Sequence, residues 1–351
     1  MKSDVYFVPV ESNDLKARCQ ALEKLLESIQ PLIKYQKDEL VPVKITIGDS
    51  ASVFHVHPEF AKRVVAEVKL QKAKPFLFDT SVIYHGLRQN AVDHLTLAQN
   101  KSFSQVKIGA PFIIADGLLG QDGREFQIDA PHIKKIRVPS FIGMLNSLLV
   151  LSHATGHMVS GFAGAIKNVA MGMSCRSTKQ VQHSSLKPSI IQEKCTACGC
   201  CIRMCPVQAI RFNKKGKAQI DPLVCIGCGE CLCACKFDAV YVNWAEEAEI
   251  FGSRMIEVAQ FILSQFKNKF FITFAFDITQ ECDCISTKDD RMVSQPAGIF
   301  ASTDVLSIDR AVCDRLSDEF NFFKEHEVYK KMLTYGDKLG LGSLDYRLVK
   351  I

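Results

Sequence analysis

No stretch of the 351-residue chain stays apolar for the roughly 18 positions that a membrane-spanning helix needs. Polar residues such as Asn146, Ser147 and Ser152 interrupt the longest apolar runs. Met1 to Asp14 lacks a basic flank followed by an apolar core, so no secretory leader is read and a cytoplasmic location with no membrane partner is expected. A long basic block is missing too. The 43 basic and 38 acidic residues are dispersed, for a formal charge of +5, which gives nucleic acid no footprint. Hydrophobic residues at 47% and charged residues at 23% exclude a disordered or fibrous chain and leave a globular protein with one large domain or two ordinary ones.

Cysteine is in excess. There are 15, and ten fall between Cys195 and Cys235. Without an export signal these do not form a disulfide framework, because the cytosol keeps thiols reduced; clustered intracellular cysteines point to metal.

On either side of the cysteines, short apolar runs alternate with helical patterns. Strands are expected at Val5–Val10, Val43–Ile47, Phe76–Phe78, Phe112–Ala115, Leu148–Leu151, Phe270–Phe276 and near Gly298–Ala301. Helices are expected at Asn13–Ile33, from Pro58, at Ala245 to about Lys267 and at Ser307–Phe320. This alternation predicts an α/β fold, a mostly parallel sheet with flanking helices. Neither flank alone has enough units, so residues 187–243 read as an inserted α+β ferredoxin-like module, with 1–186 and 244–351 as the two parts of one α/β domain. Three consecutive modules are the alternative.

Within the insertion, Cys195, Cys198, Cys201 and Cys205 recur 30 positions later as Cys225, Cys228, Cys231 and Cys235. Two C-x2-C-x2-C-x3-C units are the run of two-cluster bacterial ferredoxins, in which the fourth cysteine reaches the other cluster. The expected sets are therefore crossed: Cys195, Cys198, Cys201 and Cys235 for one 4Fe-4S cluster, Cys225, Cys228, Cys231 and Cys205 for the other. Paired zinc sites would leave the third cysteine at constant spacing unexplained. Cys200 and Cys233 lie outside the pattern and read as small buried thiols. The segment holds eight basic and four acidic residues, a surplus of four that offsets two clusters of net charge about minus two each.

Two segments after expected strands carry candidate chemistry. His153 and His157 stand in a loop rich in small residues that leads to a helix near Ala163–Met171, where backbone amides could meet an anion. The histidines could chelate a metal or act as acid and base, or be solvated residues of a plain turn. The Gly-Lys-Ser/Thr ending of a nucleotide-binding loop is missing there. Cys282 and Cys284 follow the strand Phe270–Phe276; in an extended segment both thiols share a side, with Asp283 opposite, and could hold an additional metal. Two unremarkable thiols are the alternative. Asp79, Thr80, Tyr84, His85, Arg88 and Asp116 are further candidate substrate contacts.

The stretches Asp79-Thr80 with Tyr84-x-Gly86-x-Arg88-x-Asn90-Ala91-Val92-x-His94, Ala115-Asp116-Gly117-Leu118, Leu151-Ser152-His153-x-x-Gly156-His157, Ala165-Ile166-Lys167-Asn168-x-x-Met171-Gly172, and Asp277-Ile278-Thr279-x-Glu281-Cys282-Asp283-Cys284 with Gly298-Ile299 occur in that order. Over about Val43 to Asp314 the chain resembles domain-of-unknown-function family 362, whose members often carry a ferredoxin module at this place. The resemblance implies an iron-sulfur protein of anaerobic metabolism, without a defined substrate. His55 and His57 fit the family pattern less well and take no role from it.

The resulting expectation is an iron-sulfur oxidoreductase. Two 4Fe-4S clusters receive single electrons from a redox protein partner and deliver them to an unknown small-molecule substrate, with His153, His157, Cys282 and Cys284 as catalytic candidates. A non-catalytic electron carrier or adaptor for a larger redox enzyme is the rival. A cleft lined by those four residues separates the two readings.

Overall fold

The structure is a computed structural model that describes all residues except 1, 85, 158, 184–186, 206, 226–228, 242–247, 285–288 and 321–326, and all side chains of those described except 233, 248–249 and 318–320. Eight strands build one sheet: β1 (Ser3–Pro9), β2 (Leu40–Lys44), β3 (Lys74–Asp79), β4 (Phe112–Ile114), β5 (Ser147–His153), β6 (Asn268–Ala275), β7 (Gly298–Ser302) and β8 (Tyr346–Lys350). Their order is β8-β1-β7-β6-β5-β2-β3-β4, and within this sheet β7 alone runs against the others. The mostly parallel α/β sheet expected from the sequence is thus present. Strands from both sides of the cysteine segment share it, and β6 pairs directly with β5.

The central strands are buried on both faces, and alternate side chains enter different cores. Leu148, Val150 and Phe271 join α5 (Ala248–Ser264), α6 (Val305–Phe320) and α7 (Glu327–Lys338) on one face. Leu149, Leu151, Phe270 and Ile272 meet α1 (Leu15–Ile29) and α2 (Pro58–Leu70) on the other. Helices α1 and α2 each have a local reason to begin where they do. Asp14 accepts from the Ala17 amide at 3.0 Å to cap α1, and Pro58 opens α2 with the His57 ring accepting from the Glu59 amide at 3.2 Å. His57 is therefore a helix cap.

Some expected elements shift. The second strand ends at Lys44, not Ile47, although Ile45 and Ile47 remain fully buried. The helix expected from Ala245 is described from Ala248 to Ser264; residues 245–247 lie outside the described part. Edge strand β8, helix α7 and the hairpin Arg124–Gln127 with Lys135–Val138 were not foreseen.

The chain lays β2, β3 and β4 outward in one direction and then returns to place β5 on the other side of β2. Such a reversal opens a crevice beyond the carboxyl ends of the strands.

Candidate functional site

A cavity of about 200 Å³ lies at that crevice. Lys44 reaches it from the last position of β2, Asp79 from the end of β3 and His153 from the end of β5, while Cys282, Asp283 and Cys284 enter from the loop after β6. His157 lines it as well. All four catalytic candidates therefore meet at one cavity, together with Thr80, Tyr84 and Arg88. Asp116 instead binds the Ser81 amide at 2.9 Å as part of the supporting turn, and His85 lies outside the described residues.

His153 donates from Nδ1 to Asp283 Oδ1 at 2.8 Å and from Nε2 to the Phe276 carbonyl at 2.6 Å. With an acceptor on each side the ring carries both protons. Burial opposes that charge, but the Asp283 carboxylate outweighs it and holds the pKa above its usual value. The opposite holds for His157. Its Nδ1 accepts from the Val159 and Ser160 amides at 3.2 and 3.1 Å, and burial with the nearby Lys167 keeps it neutral, which leaves the proton on Nε2.

The Cys282–Cys284 segment is a turn and not the extended run expected. Asp283 consequently joins the thiols at the cavity instead of lying opposite them. The two thiols hydrogen-bond to each other. That bond, with Lys167, Arg88 and the Tyr84 hydroxyl, overcomes burial and draws the Cys284 pKa well below that of an ordinary thiol. Cys282, which donates the bond and is buried, is pushed well above it.

Around these groups stands a buried ionic frame. Lys44, fully buried, pairs with Asp79 at 3.0 Å and donates to Asn168 Oδ1 at 2.7 Å. Arg88 reaches Asp79 at 3.4 Å and the Tyr84 hydroxyl. Burial would protonate Asp79, but Lys44, His94 and Arg88 hold its pKa below the usual carboxylate range. Gly172 makes room for Lys44: a Cβ there would sit 2.4 Å from Lys44 Cε.

Lys167 and Asn168 come from α3 (Ala165–Ala170), the helix whose amino end looked suited to an external anion. That end is already filled. Asp309 of α6 accepts from the Ala165 and Ile166 amides at 2.7 and 3.0 Å. The next helix, α4 (Arg176–His183), supplies Lys179, which burial lowers to about 8, and His183, which burial lowers to about 4. Lys44, Lys179 and His183 escaped the sequence reading. A lysine interrupting an otherwise apolar strand was a signal for the first. Nothing distinguished the other two within a polar helix.

The cysteine segment folds as a repeat. Helices Cys200–Met204 and Glu230–Ala234 each start after a glycine with positive φ, Gly199 (+72°) and Gly229 (+77°), a backbone that suits glycine. Strands Ile210–Phe212 and Ala218–Ile220 pair as a hairpin; Ser189–Ile190 pairs with Val240–Tyr241. Cys195, Cys198, Cys201 and Cys235 line one small void, and Cys205, Cys225 and Cys231 line another. Cys228 lies outside the described residues. The all-thiol donor sets, gathered across the repeat, fit iron-sulfur clusters. Cys205 Sγ and Cys235 Sγ accept amide hydrogen bonds from the equivalent residues Ala209 and Ala239, at 3.2 and 3.4 Å, contacts that stabilise thiolates. Cys200 is half-buried under the Arg203 guanidinium rather than fully buried, and the Cys233 side chain lies outside the described set.

This second void abuts α4. Arg176 Nη1 lies 3.4 Å from Glu230 Oε2, and a Cβ on Gly229 would lie 3.1 Å from Gln180 Oε1. Among the described residues no helix is long and apolar enough to cross a membrane.

No curated protein matches the chain. Among solved structures, the lactate racemase apoprotein from Thermoanaerobacterium thermosaccharolyticum is similar at a TM-score of 0.48 and 11% identity, over 91% of this chain and 58% of that one. A structural-genomics target from Thermotoga maritima is similar at 0.45 and 10% identity, over 94% and 60%. The chain thus spans less than two thirds of either. The model of the family described as a domain of unknown function, DUF362, matches residues 41–314, and the chain belongs to that family.

Proposed function

We propose that this protein is an iron-sulfur oxidoreductase in which two 4Fe-4S clusters serve a small substrate held in the cavity. Cys195, Cys198, Cys201 and Cys235 hold one cluster, and Cys205, Cys225, Cys228 and Cys231 the other; bound there, the clusters supply single electrons. The observation that carries the reading is α4. Arg176 and Gln180, one turn apart, meet Glu230 and Gly229 at the second void, while Lys179 and His183, one turn apart on the adjacent stripe, line the cavity. Neighbouring stripes of one helix thus face the void and the cavity. A redox protein partner meets the first set, where Cys198 is exposed and Phe237, 46% exposed, edges the void.

Inside the cavity Lys44, Arg88, Lys167 and Lys179 outnumber Asp79 and Asp283, which suits an anionic small molecule. Cys284 acts as thiolate and His157 offers an Nε2 proton; His153, both of whose N–H groups are engaged, is a positioning residue that fixes Asp283 between the thiols. The carrier reading gives this charged cavity no role. Metal analysis of anaerobically purified protein tests the proposal: about eight iron and eight acid-labile sulfide atoms per chain are expected. Stoichiometric zinc without sulfide refutes it.

A further inference from the structure

We propose that Cys282 and Cys284 form a reversible dithiol–disulfide couple that stores two electrons beside the substrate cavity. The inference rests on the oxidoreductase reading and adds to it the device that joins one-electron donors to a two-electron reaction. The thiols stand one residue apart in a turn and are already in hydrogen-bond contact with each other. The turn is fixed from several directions. Asp283 is tied to His153 through its side chain, and its carbonyl accepts from the Asp49 amide at 3.2 Å. Just upstream, the Thr279 carbonyl accepts from the Gly156 amide at 2.8 Å, and the Val293 amide donates to the Ile278 carbonyl at 2.8 Å. Such anchoring keeps the sulfurs adjacent in either redox state.

The surroundings suit such a couple. Lys167 hydrogen-bonds Cys282 and the Tyr84 hydroxyl hydrogen-bonds Cys284. Both ring nitrogens of His153 are engaged by oxygen acceptors.

The chemistry balances within the couple. In the reducing direction the S–S bond breaks, two electrons and one proton enter, and a thiol remains on Cys282 with a thiolate on Cys284. The reductant is the pair of iron-sulfur clusters proposed above, delivering electrons one at a time. In the opposite direction the thiolate and thiol return two electrons and a proton to the substrate, and the S–S bond reforms.

The test is an anaerobic reductive titration with titanium(III) citrate of protein first treated with diamide, comparing wild type with Cys284→Ser. Wild type should take up about two electrons more than the variant, the stoichiometry of one disulfide. Equal uptake overturns the couple and leaves the cluster reading intact. A variant that takes up none refutes the clusters while the difference still reports the couple. A second readout needs no variant. Residues 270–288 form one tryptic peptide whose only cysteines are Cys282 and Cys284. From diamide-treated wild type it should resist alkylation and be two hydrogens lighter, and after titration it should carry two alkyl groups. Double alkylation in both samples overturns the proposal.

Discussion

Replacing Asp309 by Asn probes the anchor of the helix that carries Lys167 and Asn168 to the cavity. Asp309 is fully buried, and its two oxygens satisfy the first two amides of α3, donors that no intrahelical carbonyl can reach. Burial raises its pKa from 3.8 to about 7, against the pull of the Ile166 and Ala165 amides and the Tyr329 hydroxyl. The unfolded chain therefore gives up this proton at lower pH than the folded protein does. Across that interval stability falls as pH rises, and it levels off above the folded pKa. At about 1.36 kcal/mol per unit the whole interval corresponds to about 4 kcal/mol. The variant does not titrate. Its amide group presents an N–H to one of the two helix amides, which costs roughly 1–3 kcal/mol through an unpaired buried donor. The stability advantage of wild type over the variant should accordingly shrink by about 2 kcal/mol between about pH 5.5 and about pH 7. Urea denaturation of both proteins, followed by far-ultraviolet circular dichroism under anaerobic conditions, measures this. A difference that stays constant with pH, or grows, refutes a buried, protonated Asp309.

Gly172→Ala should displace Lys44 from Asp79, because the new methyl group would lie 2.4 Å from both Asn168 O and Lys44 Cε; a loss of roughly 1–3 kcal/mol in a urea melt is expected. Cys205→Ala should abolish or alter the paramagnetic signal of the cluster set that contains Cys225, and Cys235→Ala that of the set containing Cys198, with iron falling from about eight towards about four in each. The same signal lost from both variants would contradict crossed ligation.

The strands around the site were legible because runs such as Leu148–Leu151 and Phe270–Phe276 are buried on both faces and therefore almost wholly apolar, Thr273 being the one polar residue in them. Once the sheet is parallel, the loops after them emerge at one edge, and this is how His153, His157, Cys282 and Cys284 reach a common cavity. Positions whose role depends on a distant partner were not legible. Asp309 lies 144 residues from Ala165, and nothing local marks it as the cap of α3. The turn at Cys282–Cys284 likewise depends on His153 and Asp49 holding Asp283, tertiary contacts that override the extended backbone expected after a strand. Strand β8 carries Arg347 and Lys350 at the sheet edge and pairs with β1, more than 330 residues away, so its alternation alone was too weak a signal. In the cysteine segment the 30-residue repeat was visible because spacing is written in the sequence itself. Its proximity to α4 was not.

Iron positions from anomalous scattering, in crystals of anaerobically purified protein, test the central claim most directly. Two iron centres are expected, one enclosed by Cys195, Cys198, Cys201 and Cys235 and the other by Cys205, Cys225, Cys228 and Cys231, with the second beside Gln180 of α4, the helix whose Lys179 and His183 line the cavity. Centres each enclosed by the cysteines of a single repeat, or zinc in place of iron, would contradict it.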